Sequence, residues 1–250
     1  MRKYLTLGIV ALFLISLSGC QFNLFTEFDK IEIPSADEMS SKADSNPDGF
    51  LDDVNDYIES DSITEDDADG IIDALEIIYL DGGNSPEVQE KAAVFAGEIA
   101  ISSDPETKEL VDNVVSALTG LSDTTTAEDV LAGIFPANLT EAQFYDILDN
   151  LDTAAEAYAD FAASIDVDGD GIADDGAAAW LDSNDAGDLA MYAAVAMISS
   201  GIRAITPDQD LYNFIYDDAV TTIAGYDDST ENPLDTSELS AILDLAGIVY

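Results

Sequence analysis

The residues best suited to chemistry lie past the middle of the chain, in Asp166-Val167-Asp168-Gly169-Asp170-Gly171-Ile172-Ala173-Asp174-Asp175. Three aspartates alternate with other residues at Asp166, Asp168 and Asp170, so a tight loop can turn their carboxylates toward one centre. Gly171 follows, where a sharp turn needs a residue without a Cβ. Ile172 then offers a backbone carbonyl, and Asp174 a fourth carboxylate. Hard oxygens in this number suit a hard cation. Ca²⁺ takes about 6–8 oxygen ligands at roughly 2.3–2.6 Å, and carboxylates, carbonyls and water all serve.

This spacing resembles the first nine positions of an EF-hand loop, and equally the loops of dockerins and thrombospondin type 3 repeats. The resemblance implies Ca²⁺ held by Asp166, Asp168, Asp170, the Ile172 carbonyl and Asp174. It departs at the twelfth position, where an EF-hand places a bidentate Glu and this chain has Ala177. Asp175, Asp182 or water would have to supply the missing oxygens. The expected affinity falls in the range of extracellular modules, about 10⁻⁴–10⁻³ M. A second candidate is Asp44-Ser45-Asn46-Pro47-Asp48-Gly49-Phe50-Leu51-Asp52, with Asp44, Asn46, Asp48, the Phe50 carbonyl and Asp52 at the same intervals. It competes with a simpler reading, a turn followed by a helix that Asp48 caps. A third stretch, Glu65 to Glu76, ends in Glu but overlaps a helix start; acids favoured by the helix macrodipole explain it better.

Composition narrows the function classes. The 250 residues carry Lys+Arg 7 and Asp+Glu 53, no His and one Cys, for a formal net charge of −46. Nucleic-acid binding needs cations to displace phosphate counterions, and these are too few. Without His, Ser-His-Asp and Cys-His mechanisms and His-ligated metals are excluded. One Cys excludes an internal disulfide and any CxxC centre. A glycosidase-like carboxylate pair cannot be nominated among 53 acids, because pairs arise by chance. No Gly-rich phosphate loop, nucleophile elbow or HExxH occurs. The expectation is a protein that is not an enzyme. Asp outnumbers Glu 37 to 16. Glu is the better helix former, so the excess points to caps, turns and cations, and to solubility in salt.

The single cysteine has its own context. Arg2 and Lys3 precede an apolar run from Tyr4 to Leu17, ending in Leu17-Ser18-Gly19-Cys20. The run has the shape of a secretory signal and is short for a stable membrane span. Its end resembles the bacterial lipobox, which implies that Cys20 is lipidated and becomes the mature N-terminus. Gln21 follows, not Asp, which in Gram-negative lipoproteins resembles the pattern sent to the outer membrane. The implied location is the bacterial cell envelope, with membrane contact through the lipid anchor alone.

Around these motifs the pattern is helical. Ser62 with Glu65 and Thr140 with Gln143 read as capping boxes, and Ser85-Pro86-Glu87 and Asp104-Pro105-Glu106 as helix starts. Ile71, Ile72, Leu75, Ile78 and Tyr79 follow helical spacing, as do Val88, Ala92, Phe95, Ile99 and Ile101, and Leu110, Val114, Val115 and Leu118. Longer helices are expected from Thr140 to about Ile165, Asp185 to Ile202, Asp208 to Ile223 and Asp235 to Tyr250. β-Branched alternation is absent, so the fold class is all-α. Pro86 and Pro105 are spaced like paired helices that resemble tetratricopeptide-like arrays, but the diagnostic residues do not recur, and an irregular multi-helix bundle is the better reading. Met191 to Met197 is apolar yet closely flanked by Asp188 and Arg203, hence a core helix. Arg203 is expected to pair with an aspartate. The organisation expected is a signal over 1–19, an anchor and spacer over 20–44, and an acidic helical domain over 45–250. The function expected is a calcium-stabilised interaction module with a protein partner in the envelope. The alternative is a scaffold or solute-binding component of a transporter complex, with a groove lined by Tyr, Phe and Trp180.

Overall fold

The computed structural model describes residues 33–60, 62–119, 136, 139–205, 207–216 and 236–246. Cys20 and the signal segment lie outside these residues, as do the expected helix ends at Ile223 and Tyr250. The described residues form helices and no strand: α1 (Ala36–Ser45), α2 (Pro47–Glu59), α3 (Glu65–Tyr79), α4 (Pro86–Ser102), α5 (Pro105–Thr119), α6 (Glu141–Ile165), α7 (Ser183–Ile205), α8 (Asp208–Tyr216) and α9 (Thr236–Leu245). The all-α expectation holds. None of these helices is long and apolar enough to cross a membrane, and Met191 to Met197 is packed into the core of α7.

The starts follow the side chains written for them, with two differences. The Thr140–Gln143 capping box forms in both directions, Ser85 accepts from the Val88 amide at 3.4 Å, and buried Asp104 accepts from the Thr107 amide at 2.9 Å. Ser62, however, does not cap α3. Its hydroxyl pairs with that of Ser60 at 2.7 Å, and Thr64 becomes the N-cap residue. The helical body also reaches back into the stretch read as spacer. Ser35 and Glu38 form a capping box for α1, and Met39 and Ala43, one turn apart on the same face, are buried against α3.

Two linked cores hold most of the helices, and a smaller cluster joins Phe144 and Leu148 of α6 to Leu211 of α8. One gathers Met39, Phe50, Leu51, Val54, Ile71, Leu75 and Ile78 from α1, α2 and α3. The other gathers Leu151, Tyr158, Phe161, Ile165, Leu189, Ala193 and Ile242 from α6, α7 and α9. Helix α4 serves both: Ala92, Ala96 and Ile99 face the first, and Ala93, Ala100 and Ile101 the second. Ion pairs close the remaining seams. Lys42 joins Asp53 across α1 and α2. Arg203 of α7 binds Asp149 and Asp152 of α6 at 2.6 Å each and Asp208 of α8 at 2.9 Å.

Helices α4 and α6 meet at Gly97. A Cβ there would lie 2.5 Å from Cε1 of Tyr158 and 2.6 Å from its Cζ. The Tyr158 ring is fully buried and cannot swing away. Beside it Glu98 is largely enclosed; burial, then the charges of Asp185 and Asp188, push its carboxyl up to about 7. Gly97→Ala should therefore lower stability: overpacking costs about 1–3 kcal/mol, against roughly 1 kcal/mol gained in helix propensity. Urea titration by circular dichroism checks the sign, and an unchanged or raised midpoint refutes the close packing. Glu98 also makes a pH prediction. Its folded-state pKa is raised, so the stability it confers is complete below the unfolded value and disappears as pH climbs through about 7. The melting temperature should therefore drop between pH 5 and 8. Glu98→Gln should flatten that slope.

Candidate metal site

The long helix α6 ends where its apolar stripe ends. Ile165 is fully buried, and Asp166, 8% exposed, leaves helical geometry at the C-cap. Its position is therefore set by the core. From there the chain turns on two left-handed glycines, Gly169 at φ 72° and Gly171 at φ 82°, a conformation costly for residues with a Cβ.

The Asp166 carboxylate organises the turn. Oδ1 accepts from the amides of Gly169 at 2.8 Å and Asp170 at 3.1 Å. Oδ2 accepts from the Gly171 amide at 2.8 Å. Asp168 accepts from the Asp170 amide at 3.3 Å, and Asp170 from the Ile172 amide at 2.9 Å. Asp174 closes the loop twice. Its amide donates to the Ile165 carbonyl at 2.7 Å, and its carboxylate accepts from the Val167 amide at 3.1 Å. One oxygen each from Asp166, Asp168 and Asp170 lie within 4.8 Å of one another. Asp168 and Asp170 are exposed to solvent, and the neighbouring Asp170 charge raises the Asp168 carboxyl above its ordinary range. Like charges held this close call for a counterion.

An ionised carboxylate has about four lone-pair sites. Asp166 uses three on amides, which leaves it one direction toward an ion. Asp168, Asp170 and Asp174 contribute further oxygens, and the side chain of Ile172 is exposed, leaving its carbonyl as the useful group. Water completes such a shell. Asp182 is engaged elsewhere: its side chain accepts from the Asp185 amide at 3.1 Å, at the start of α7.

One contributor had no signal in the sequence. Asp244 of α9 accepts from the Ala173 amide at 3.3 Å, tying the loop to a helix 71 residues away. Only the packing of α9 beside α6 and α7 brings it there.

The second candidate is not assembled as a loop. Asp44 lies in α1, Asn46 alone joins the helices, and Asp48, Phe50 and Asp52 belong to α2. Asn46 rather than Asp48 caps α2, accepting from the Gly49 amide at 3.4 Å. Phe50 is 1% exposed in the core. Helical backbone keeps Asp44, Asp48 and Asp52 from converging; among the described residues the clustered oxygens are those of Asp166, Asp168 and Asp170. The Glu65 to Glu76 stretch is helical throughout in α3. Trp180 is half-buried, donates to Glu90 at 3.0 Å and lies under the Lys91 ammonium at 5.6 Å, so the indole works as a strut between the 175–180 turn and α4.

Gly171→Ala should cost about 1–2 kcal/mol of stability by forcing a side chain into left-handed backbone. It should also weaken any ion held by the loop, because the Gly171 amide anchors Asp166. Denaturation and cation titration of the same variant check both effects, and an unperturbed titration refutes the coupling. No family model, curated protein or solved structure matches the chain.

Proposed function

We propose that the chain is a lipid-anchored bacterial envelope protein whose loop at Asp166 to Asp174 binds Ca²⁺ as a structural ion, and that the helical body is a non-enzymatic interaction module. The observation that carries the ion is the convergence of the Asp166, Asp168 and Asp170 oxygens within 4.8 Å at the buried end of α6. The loop is held in shape by its own amides, so cation binding need not first order it. That lowers the entropic cost of binding. The missing bidentate Glu at Ala177 weakens the site in turn, which suits an ion that is abundant outside the cell and always bound.

The structural role follows from what surrounds the loop. It joins α6 to the turn before α7 and touches α9 through Asp244, so an ion here holds three helices together. The anchor rests on Cys20 and the signal before it. A protein partner in the envelope is the remaining inference, since an acidic body tethered by acyl chains has little attraction for an anionic lipid surface.

Calorimetric titration of the calcium-stripped protein should give one site with Kd of about 10⁻⁴–10⁻³ M, and Asp168→Ala/Asp170→Ala should abolish it. Ca²⁺ should raise the melting temperature beyond what Mg²⁺ achieves at equal ionic strength. Equal effects of the two ions, or heat retained in the double variant, would sink the calcium reading.

A further inference from the structure

A cavity of about 510 Å³ lies where α1 begins, between α1 and α2. Its size falls in the range of sites that hold small molecules, about 300–1,000 Å³. Met39 of α1 and Phe50 and Tyr57 of α2 line it as an apolar floor, each at most 5% exposed. Ile33 adds a half-buried apolar wall. Three charged side chains complete the lining. Glu38 is committed to the start of α1, accepting from the Ser35 amide at 3.2 Å and the Ser35 hydroxyl at 2.9 Å. Lys42 and Asp53 pair with each other, and their side chains are 37% and 38% exposed, so solvent reaches both halves of the pair.

We infer that this cavity binds one free α-amino acid with an apolar side chain. The ligand carboxylate joins the Lys42 ammonium, the ligand ammonium joins the Asp53 carboxylate, and the ligand side chain lies over Met39, Phe50 and Tyr57. This goes beyond the calcium reading and does not depend on the loop. The charges select the class. An exposed ion pair is worth little by itself, so opening it costs little, and a zwitterion replaces one pairing with two. An anion alone would leave Asp53 without a partner and would meet the field of a chain with a net charge of −46. A cation alone would leave Lys42 without one. The spacing selects further. Lys42 and Asp53 touch, which suits a ligand whose two charges sit on one carbon. The apolar floor then favours a hydrocarbon side chain, because covering it removes apolar surface from water.

Equilibrium dialysis of labelled L-phenylalanine against the full chain tests this. Saturable binding is expected, with one site per chain. L-Phenylalaninol keeps the ammonium without the carboxylate, and 3-phenylpropanoate keeps the carboxylate without the ammonium. Each should compete roughly tenfold less well or worse, since each forgoes a charged hydrogen-bonded pairing. Glycine, with both charges and no side chain, should also compete poorly. Lys42→Met and Asp53→Asn should each weaken binding by a similar factor, with circular dichroism checking that the helices persist; the competitor series needs no variant and decides the matter if either fails to fold. The inference is overturned if L-phenylalanine shows no saturable binding, if either singly charged analogue competes as well as L-phenylalanine, or if folded Lys42→Met binds undiminished.

Discussion

The structure depends on the burial of one long helix. Helix α6 places Phe144, Ile147, Leu151, Tyr158, Phe161 and Ile165 out of water along its length. Each large apolar side chain fully buried contributes about 1.5–3 kcal/mol. Both ends are pinned: the first turn by the Thr140–Gln143 box, the last by the burial of Ile165 and Asp166. Because α4 and α7 both pack against it, a shift of α6 would disturb the loop, the Gly97 contact and the Arg203 clasp together.

That burial has to outweigh a heavy electrostatic load. A formal charge of −46 on 250 residues disfavours any compact state. Among the described residues, Lys42 and Arg203 are placed where they cross seams. Arg203 pairs with three carboxylates from two neighbouring helices while keeping 20% of its side chain exposed. Lys91 and Lys108 instead support their own helices through i,i+4 pairs, which are worth only about 0.3–0.5 kcal/mol each. Salt screens the remaining surface repulsion, but screening is weaker inside the fold. Among the described residues, acid gathers most closely in the loop at Asp166, Asp168 and Asp170.

The loop follows the end of α6 and is tied to α9 through Asp244. Trp180, the obvious aromatic for a ligand groove, is held between Glu90 and Lys91. Val167 and Ile172 stand out from the loop at 79% and 55% exposure.

Much of this was legible in the residues because its causes are local. Pro86 and Pro105 mark helix starts through their missing amides, Thr140 and Gln143 satisfy each other three residues apart, and the Asp-Gly alternation bends the chain at Gly169 and Gly171 whatever surrounds it. The helical class follows for the same reason. Local pattern misled where two short-range solutions competed: Ser62 lost the N-cap position of α3 to Thr64, and Asp44 to Asp52 became a helix junction with Phe50 buried in the core. It was silent where partners are distant in sequence. Nothing near Gly97 announces Tyr158, nothing near Ala173 announces Asp244, and Arg203 does not name Asp149 and Asp152. Those meetings were decided by the packing of α4, α7 and α9 around α6, since burial of apolar stripes is non-directional and only the assembled fold selects which polar groups come to share a space.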